Sequence, residues 1–294
     1  MRRNKEVAYS WDSLRETNDS LHVGWKTRCR VKSVPKNRFL SAVGDCPMLI
    51  LTAAKPELDA VLGYLRPASR GRDVLRGFIG QETYYVGRYG KEGTVVTMCG
   101  MGAIGRDSVI LASQQAVTLF KPKAMIMIGI AFGRDPKRQN LGDVLVASHV
   151  IAYEPQRVSK SQVVHRGNIT QVGPILLNRF RNVIDWHFSI GRKQESHFYI
   201  GPLLSGEKLI DRKEFKNGLF KEFPQAIGGE MEGAGLSAVA ARAGIEWIVV
   251  KGICDWADGA KNDHAQALAA HAAAFLVLHV LSDPNALDSL EGTK

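Results

Sequence analysis

Two acidic segments near the C-terminal end carry side chains that could do chemistry: Glu230-Met231-Glu232, and Asp255 at the end of the run from Trp247. Each closes an apolar, strand-like stretch, the place where an α/β sheet delivers its last residues to a ligand crevice. Carboxylates are rarely buried without partners, so a methionine between two glutamates at a core edge calls for a ligand or a cap. A sugar is one answer: both oxygens of Glu232 can accept from vicinal ribose hydroxyls while Met231 packs against the ring. Strand alternation would then turn Glu230 the other way. The alternative is a helix N-terminus, with Glu232 favouring the positive end of the small-residue helix from Gly233 to Ala243.

Asp255 bears on that choice. The run Trp247 to Cys254 is apolar enough for a buried parallel strand. A carboxyl group at its end can hydrogen-bond a purine N7 and protonate it as a glycosidic bond breaks, which is general-acid catalysis of leaving-group departure. An ordinary aspartate titrates near about 3.9, so the role needs a raised value or a proton shared with the base. Asp258, three residues on in a Trp-Ala-Asp-Gly turn, reads instead as a turn or cap residue.

The elements that must position these groups follow from periodicity. Strands are expected near 48–53, 83–89, 94–99, 124–129, 142–151, 198–205, 227–231 and 246–252. Helices are expected at 55–65, 106–120, 211–221, 232–243 (ended by Gly244) and 262–281. Nothing repeats at a solenoid period. This order fits an α/β fold, a three-layer sandwich with a central mixed β-sheet flanked by helices. Residues 1–44, polar and basic, read as an N-terminal extension, 45–283 as one catalytic domain and 284–294 as a polar tail.

The acidic segments resemble the purine nucleoside phosphorylase and nucleosidase superfamily, nearest to its methylthioadenosine/S-adenosylhomocysteine nucleosidase branch. Further segments carry the likeness in consistent order over roughly 48 to 281: Met48 to Val61, Cys99-Gly-Met-Gly102, Gly129 to Gly133 with Leu141 to Val146, and Ser205 to Ile210. The resemblance implies a nucleoside phosphorylase-like fold in which Glu57 activates water and Asp255 assists the base. It implies that Met231, Glu232 and Cys99 hold the ribose. Ser205, Gly206, Leu209 and Ile210, together with Ile130, Ala131 and Phe132, would hold the base. No cofactor is implied. A homo-oligomer, dimer or hexamer, is, and a role as an anti-phage effector that depletes adenine nucleotides is permitted.

The departures narrow the reaction. Phosphorylases of the superfamily carry a Gly-Asp-Pro-x-Arg type loop after the first strand to hold orthophosphate; here Thr52-Ala-Ala-Lys-Pro stands there, with Glu57 nearby. A carboxylate repels phosphate but can take a proton from water, which favours hydrolysis. Cys99 replaces a frequent serine and Phe132 a glycine, so the sugar and 5′ pocket can differ from those of a methylthioadenosine enzyme.

The formal charge of +10 has three readings: a basic soluble surface, a nucleic-acid binder, or a site for a phosphorylated substrate. No nucleic-acid motif accompanies the charge. Arg134, Lys137 and Arg138 lie in the loop after the glycine turn, and Arg106 opens a helix where backbone N–H groups favour anions. Guanidinium forks suit phosphate, which points to a nucleotide such as ATP.

The 45% hydrophobic content and 29 glycines suit an α/β enzyme with many strand-to-helix turns. Cys29, Cys46, Cys99 and Cys254 have no metal or redox spacing, the histidines are scattered, and neither a signal peptide nor a membrane span is expected, so a cytoplasmic location follows. The expected activity is hydrolysis of the base–ribose bond of a purine, adenine first, without phosphate. The enzymatic alternative is a methylthioadenosine/S-adenosylhomocysteine nucleosidase with a neutral 5′ pocket. From another class, a non-catalytic nucleotide sensor could keep Glu232 but would need neither Glu57 nor Asp255.

Overall fold

The computed structural model describes residues 29–44, 46–68, 71–160, 162–191, 194–259 and 263–290. Most of the basic extension, 1–28 with Trp11 and Trp25, lies outside the described residues. The order is β1 (Val31–Ser33), α1 (Lys36–Val43), β2 (Met48–Thr52), α2 (Lys55–Tyr64), β3 (Val74–Ile79), β4 (Glu82–Tyr89), β5 (Glu92–Met98) and α3 (Val109–Phe120). Next come β6 (Ala124–Gly133), β7 (Val144–Ala152), the short strands β8 (Gln156–Val158), β9 (Val163–His165) and β10 (Ile169–Gln171), and α4 (Pro174–Arg181). The chain closes with β11 (Ser189–Gly191), β12 (Gln194–Glu195), β13 (Phe198–Ser205), α5 (Lys213–Glu222), β14 (Gly228–Glu230), α6 (Gly233–Ala243), β15 (Glu246–Asp255), α7 (Asp263–Leu281) and a 3₁₀ turn at Asp288–Leu290.

The apolar runs fold as the central strands. All five residues of β2 are buried, as a strand covered on both faces requires. β2 lies parallel to β5 and β6, and β6 parallel to β15. The mixed, helix-flanked sheet expected from sequence is therefore present, and it curls. β6 pairs with β15 along most of its length, but its last residues, Phe132 and Gly133, pair with β14. β14 pairs with β13, β13 with β7, and β7 with β15, which closes a circuit of strands. The C-terminal ends of β6 and β15 meet where β14 joins β6, and the acidic residues gather along these three strands.

α7 packs on β15 so closely that a side chain at Gly252 would place Cβ about 2.0 Å from the Ala269 carbonyl oxygen. Its small-residue stripe, Ala269, Ala270 and Ala272 to Ala274, is fully buried as a result. By length and composition His264–Leu281 could cross a membrane, contrary to the sequence expectation, yet 61% of that stretch is buried inside the fold. The alanine enrichment that raises its hydropathy is what lets it pack flush against the sheet.

Residues just outside both expected domain bounds pack against the body. β1 extends the sheet parallel to β3, and Phe39 of α1 is fully buried against Tyr84 and Phe120, so residues 31–43 belong to the body. At the other end Ala286, Leu287 and Leu290 are buried, and Arg179 donates to the Ala286 carbonyl at 3.0 Å. The polar look of 284–290 conceals three apolar anchors; residues 291–294 lie outside the described residues.

Candidate active site

Glu57 occupies the third position of α2, directly after β2. Its Oε2 accepts the backbone N–H groups of Ala53 (2.6 Å) and Ala54 (3.0 Å), and its Oε1 that of Ile130 on β6 (2.8 Å). The carboxylate thus caps α2 and ties the first strand-to-helix turn to the glycine strand. Oε1 keeps one lone pair free of these bonds. Burial pushes the Glu57 carboxyl above the ordinary range, Lys251 partly offsets this, and Glu232 adds to the rise.

Lys251, in the middle of β15, is the residue that reading for motifs passed over. It is 1% exposed, and its Nζ lies 2.7 Å from Glu232 Oε2 and 3.5 Å from Glu230 Oε2. A side chain on Gly129 would place Cβ 2.4 Å from Glu57 Oε1 and 2.8 Å from Lys251 Nζ, so this glycine makes room for both charges. One charged residue inside Ile-Val-Val-Lys-Gly-Ile was the available signal, because lysine is almost never fully buried unpaired. Three buried carboxylates surround one ammonium, whose own ionisation they push upward against the cost of burial.

Glu232 accepts from Lys251 through Oε2 and from the Gly102 N–H through Oε1 at 3.1 Å. Burial alone would raise its pKa; the Lys251 charge and the hydrogen bonds outweigh that and hold it below the ordinary value. Each oxygen retains a lone pair, and Met231 beside it is half-buried. Glu230 does not turn away as strand alternation predicts. β14 ends at Glu230, the chain turns at once into α6, and the Glu230 carboxylate caps that helix by accepting the N–H groups of Glu232 (2.9 Å) and Gly233 (2.9 and 3.0 Å). The capping role considered for Glu232 thus falls to Glu230. Burial raises the Glu230 pKa despite Lys251.

Asp255 closes β15, half-buried, where the ladder to β6 is bulged. Its Oδ1 accepts the Ala257 N–H at 2.8 Å and its Oδ2 the Cys254 thiol at 3.1 Å. Burial and the adjacent carboxylate push the Cys254 thiol up, so it stays a donor. Asp258 is exposed on the following turn.

The remaining candidates divide. Cys99 is buried, its thiol on the Thr52 carbonyl (3.3 Å), and it feels the charges of Glu232, Lys251 and Glu57. Ser205 Oγ accepts the Ala234 N–H at 2.9 Å, and the Gly206 N–H donates to the Glu230 carbonyl at 3.2 Å. Ile210 is buried, Leu209 is 61% exposed, and Ile130, Ala131 and Phe132 line the end of β6, the Phe132 ring meeting Phe220 edge-on at 6.3 Å. The basic loop joins this cluster least. Arg134 donates through Nη1 to the carbonyls of Pro224 and Ala226 and lies over the Phe220 ring, which fastens the loop to the α5 end of the chain. Lys137, Arg138 and Arg106 are exposed. No group of metal-binding side chains occurs among the described residues.

The comparisons with known proteins place this α/β fold in a family. The phosphorylase superfamily model matches residues 47–282, and the chain belongs to that family. A death domain-containing ATP nucleosidase of Amphimedon queenslandica is 34% identical over 259 residues, covering 80% of this chain and 48% of that protein. This chain therefore spans about half of that relative's length. A 5'-methylthioadenosine/S-adenosylhomocysteine nucleosidase of Desulfotalea psychrophila is 24% identical, covering 60% of this chain and 73% of the relative. Among solved structures, the S-adenosylhomocysteine nucleosidase of Streptococcus pyogenes superposes with a TM-score of 0.67 at 22% identity, covering 82% of this chain and 98% of that one. The futalosine hydrolase of Helicobacter pylori gives 0.66 at 20% identity, covering 80% and 97%.

Glu232→Gln is expected to weaken ribose recognition by about 1.5–3 kcal/mol, the range for a hydrogen bond to a charged group. The amide must also turn its NH₂ toward either Lys251 or the Gly102 N–H, both donors. The 2′-deoxy substrate should therefore suffer less in the variant than the ribose form; equal discrimination in parent and variant would take Glu232 off the 2′-hydroxyl.

Proposed function

We propose that this chain is an N-glycosidase that hydrolyses the base–ribose bond of an adenine nucleoside or nucleotide, with ATP as the leading substrate. The observation that carries the reading is the buried Glu57–Lys251–Glu232 cluster beside Gly129, with Asp255 four residues further along β15. Glu232 and Met231 hold the ribose. Glu57, its basicity raised by burial, takes a proton from water through its free Oε1 lone pair. Asp255 delivers a proton to the base as C1′–N9 breaks, and the carboxylates stabilise the oxocarbenium-like sugar.

Hydrolysis is favoured over phosphorolysis because the first loop is closed by Glu57. The next glycine turn is likewise engaged by carboxylates: Glu232 takes the Gly102 N–H, and Glu207 takes the Ala103 N–H at 2.8 Å. ATP is supported by the activity named for the Amphimedon relative and by the basic surface of Arg106, Lys137 and Arg138. The thioether reading is supported by the bacterial nucleosidase relatives and by exposed Met101, Ile104 and Leu209, an apolar rim suited to an uncharged 5′ group. We extend the proposal to a cytoplasmic homo-oligomer, dimer or hexamer, acting in nucleotide depletion during anti-phage defence.

The test is incubation with ATP, adenosine, methylthioadenosine and the guanine counterparts, with and without orthophosphate, and chromatography of the products. Free base with free sugar or sugar 5′-phosphate is expected in phosphate-free buffer. Strict dependence on phosphate, or a sugar 1-phosphate product, would overturn hydrolysis; preference for methylthioadenosine would put the thioether reading first.

A further inference from the structure

The turn that gives its Gly102 N–H to Glu232 has little of its own to hold it. Gly100, Gly102 and Gly105 stand close together, the last two at φ +86° and +129°, and Met101 and Ile104 between them are 62% and 76% exposed. Glycine takes such angles without strain but leaves the backbone mobile, and side chains in water add no packing to restrain it. Two carboxylates from distant segments fasten the turn instead. Glu232 accepts the Gly102 N–H at 3.1 Å, and Glu207 accepts the next one, that of Ala103, at 2.8 Å. Glu207 also fills the space against Gly102, where a Cβ would stand 2.5 Å from its Oε2.

Glu207 can serve as a strut because the chain on either side of it is anchored. Before it, Ser205 Oγ accepts the Ala234 N–H at 2.9 Å, and the Gly206 N–H donates to the Glu230 carbonyl at 3.2 Å. After it, the backbone N–H and the ammonium of Lys208 both donate to Glu154 Oε1, at 3.1 and 2.9 Å. The segment expected to hold the base is thus fixed around Glu207, and Glu207 is the side chain through which it reaches the glycine turn. The N–H groups of Gly102 and Ala103 belong to successive planar peptides, so holding one restrains the other. That matters for Glu232, whose carboxylate is oriented by Lys251 at Oε2 and by Gly102 at Oε1. With the second donor displaced, the group is free to turn about its last bond.

We propose that Glu207 is a positioning residue that couples base recognition to ribose recognition: by holding the Ala103 N–H it keeps the Gly102 N–H on Glu232, and so fixes the carboxylate that meets the ribose hydroxyls. The role rests on the glycosidase reading, with Glu232 on the ribose, and adds to it a residue that touches neither sugar nor water.

The experiment compares wild type with Glu207→Asp, Glu207→Gln and Glu207→Ala on adenosine and 2′-deoxyadenosine, or their 5′-triphosphates, reading KM, kcat and melting temperature separately. Reach and charge part company in this set. Aspartate keeps the charge but is one methylene shorter, whereas glutamine keeps the length and an oxygen that can accept from Ala103. Glu207→Gln is expected to retain the parent's preference for the ribo substrate. Glu207→Asp and Glu207→Ala should lose about tenfold of it, the order of one hydrogen bond to a charged group, through a higher KM for the ribo substrate and with kcat changed less. An unchanged preference in the aspartate and alanine variants would overturn the coupling. So would a loss in Glu207→Gln with retention in Glu207→Asp, which would make charge the operative property, or a fall in kcat and melting temperature that is the same for both sugars, which would make Glu207 a structural support only. Should Glu207→Ala fail to fold, the aspartate and glutamine variants decide between these outcomes. A wild type that cleaves no purine substrate, or cleaves both sugars equally, would instead sink the reading on which the role rests.

Discussion

Asp255→Asn is expected to lower turnover about 100-fold to 10,000-fold, the usual worth of a positioned proton donor, with little change in melting temperature. The geometry explains the small stability cost. Oδ1 accepts the Ala257 N–H and Oδ2 the Cys254 thiol, and an asparagine keeps the backbone bond through its carbonyl oxygen. What it cannot do is release a proton to N7. Asp258→Asn, on an exposed turn three residues later, should cost far less. Kinetics on both variants with one substrate decide the matter: comparable losses would mean that the turn's shape, not the acid, is what the reaction needs.

Much of this arrangement was legible because buried parallel strands must be apolar. Met48 to Thr52, Ala124 to Gly129 and Glu246 to Asp255 advertise themselves, and polar residues at their ends then stand out. What escaped were effects of pairing between distant segments. β1 is a three-residue strand in a basic stretch; only its partner β3 and the burial of Phe39 make it part of the body. Glu230 was misplaced because alternation holds along a strand and lapses where the strand gives way to a helix three residues later. Arg134 looked free in sequence, yet the carbonyls that hold it belong to Pro224 and Ala226, some ninety residues on.

Lys251→Met should be the most damaging substitution in the chain, removing activity and about 3–5 kcal/mol of stability near neutral pH, the cost of leaving buried charges uncompensated. Glu232 would lose the cation that holds it ionised, and Glu57 and Glu230 the charge that most offsets their burial. The pH dependence separates this from a simple packing defect. Glu57 and Glu230 already have folded pKa values above the ordinary one, so their contribution to stability is present at low pH and lost as pH rises through those values. Without Lys251 all three carboxylates move further up, the folded state binds more protons than the unfolded chain, and stability falls as pH rises. The gap in unfolding free energy between parent and variant should therefore be wider near about pH 8 than near about pH 5, where protonation neutralises the carboxylates. Denaturant melts at the two pH values provide the measurement. A gap that stays constant would show that Lys251 supports the sheet by packing alone, and the charge cluster would lose its claim to organise the site.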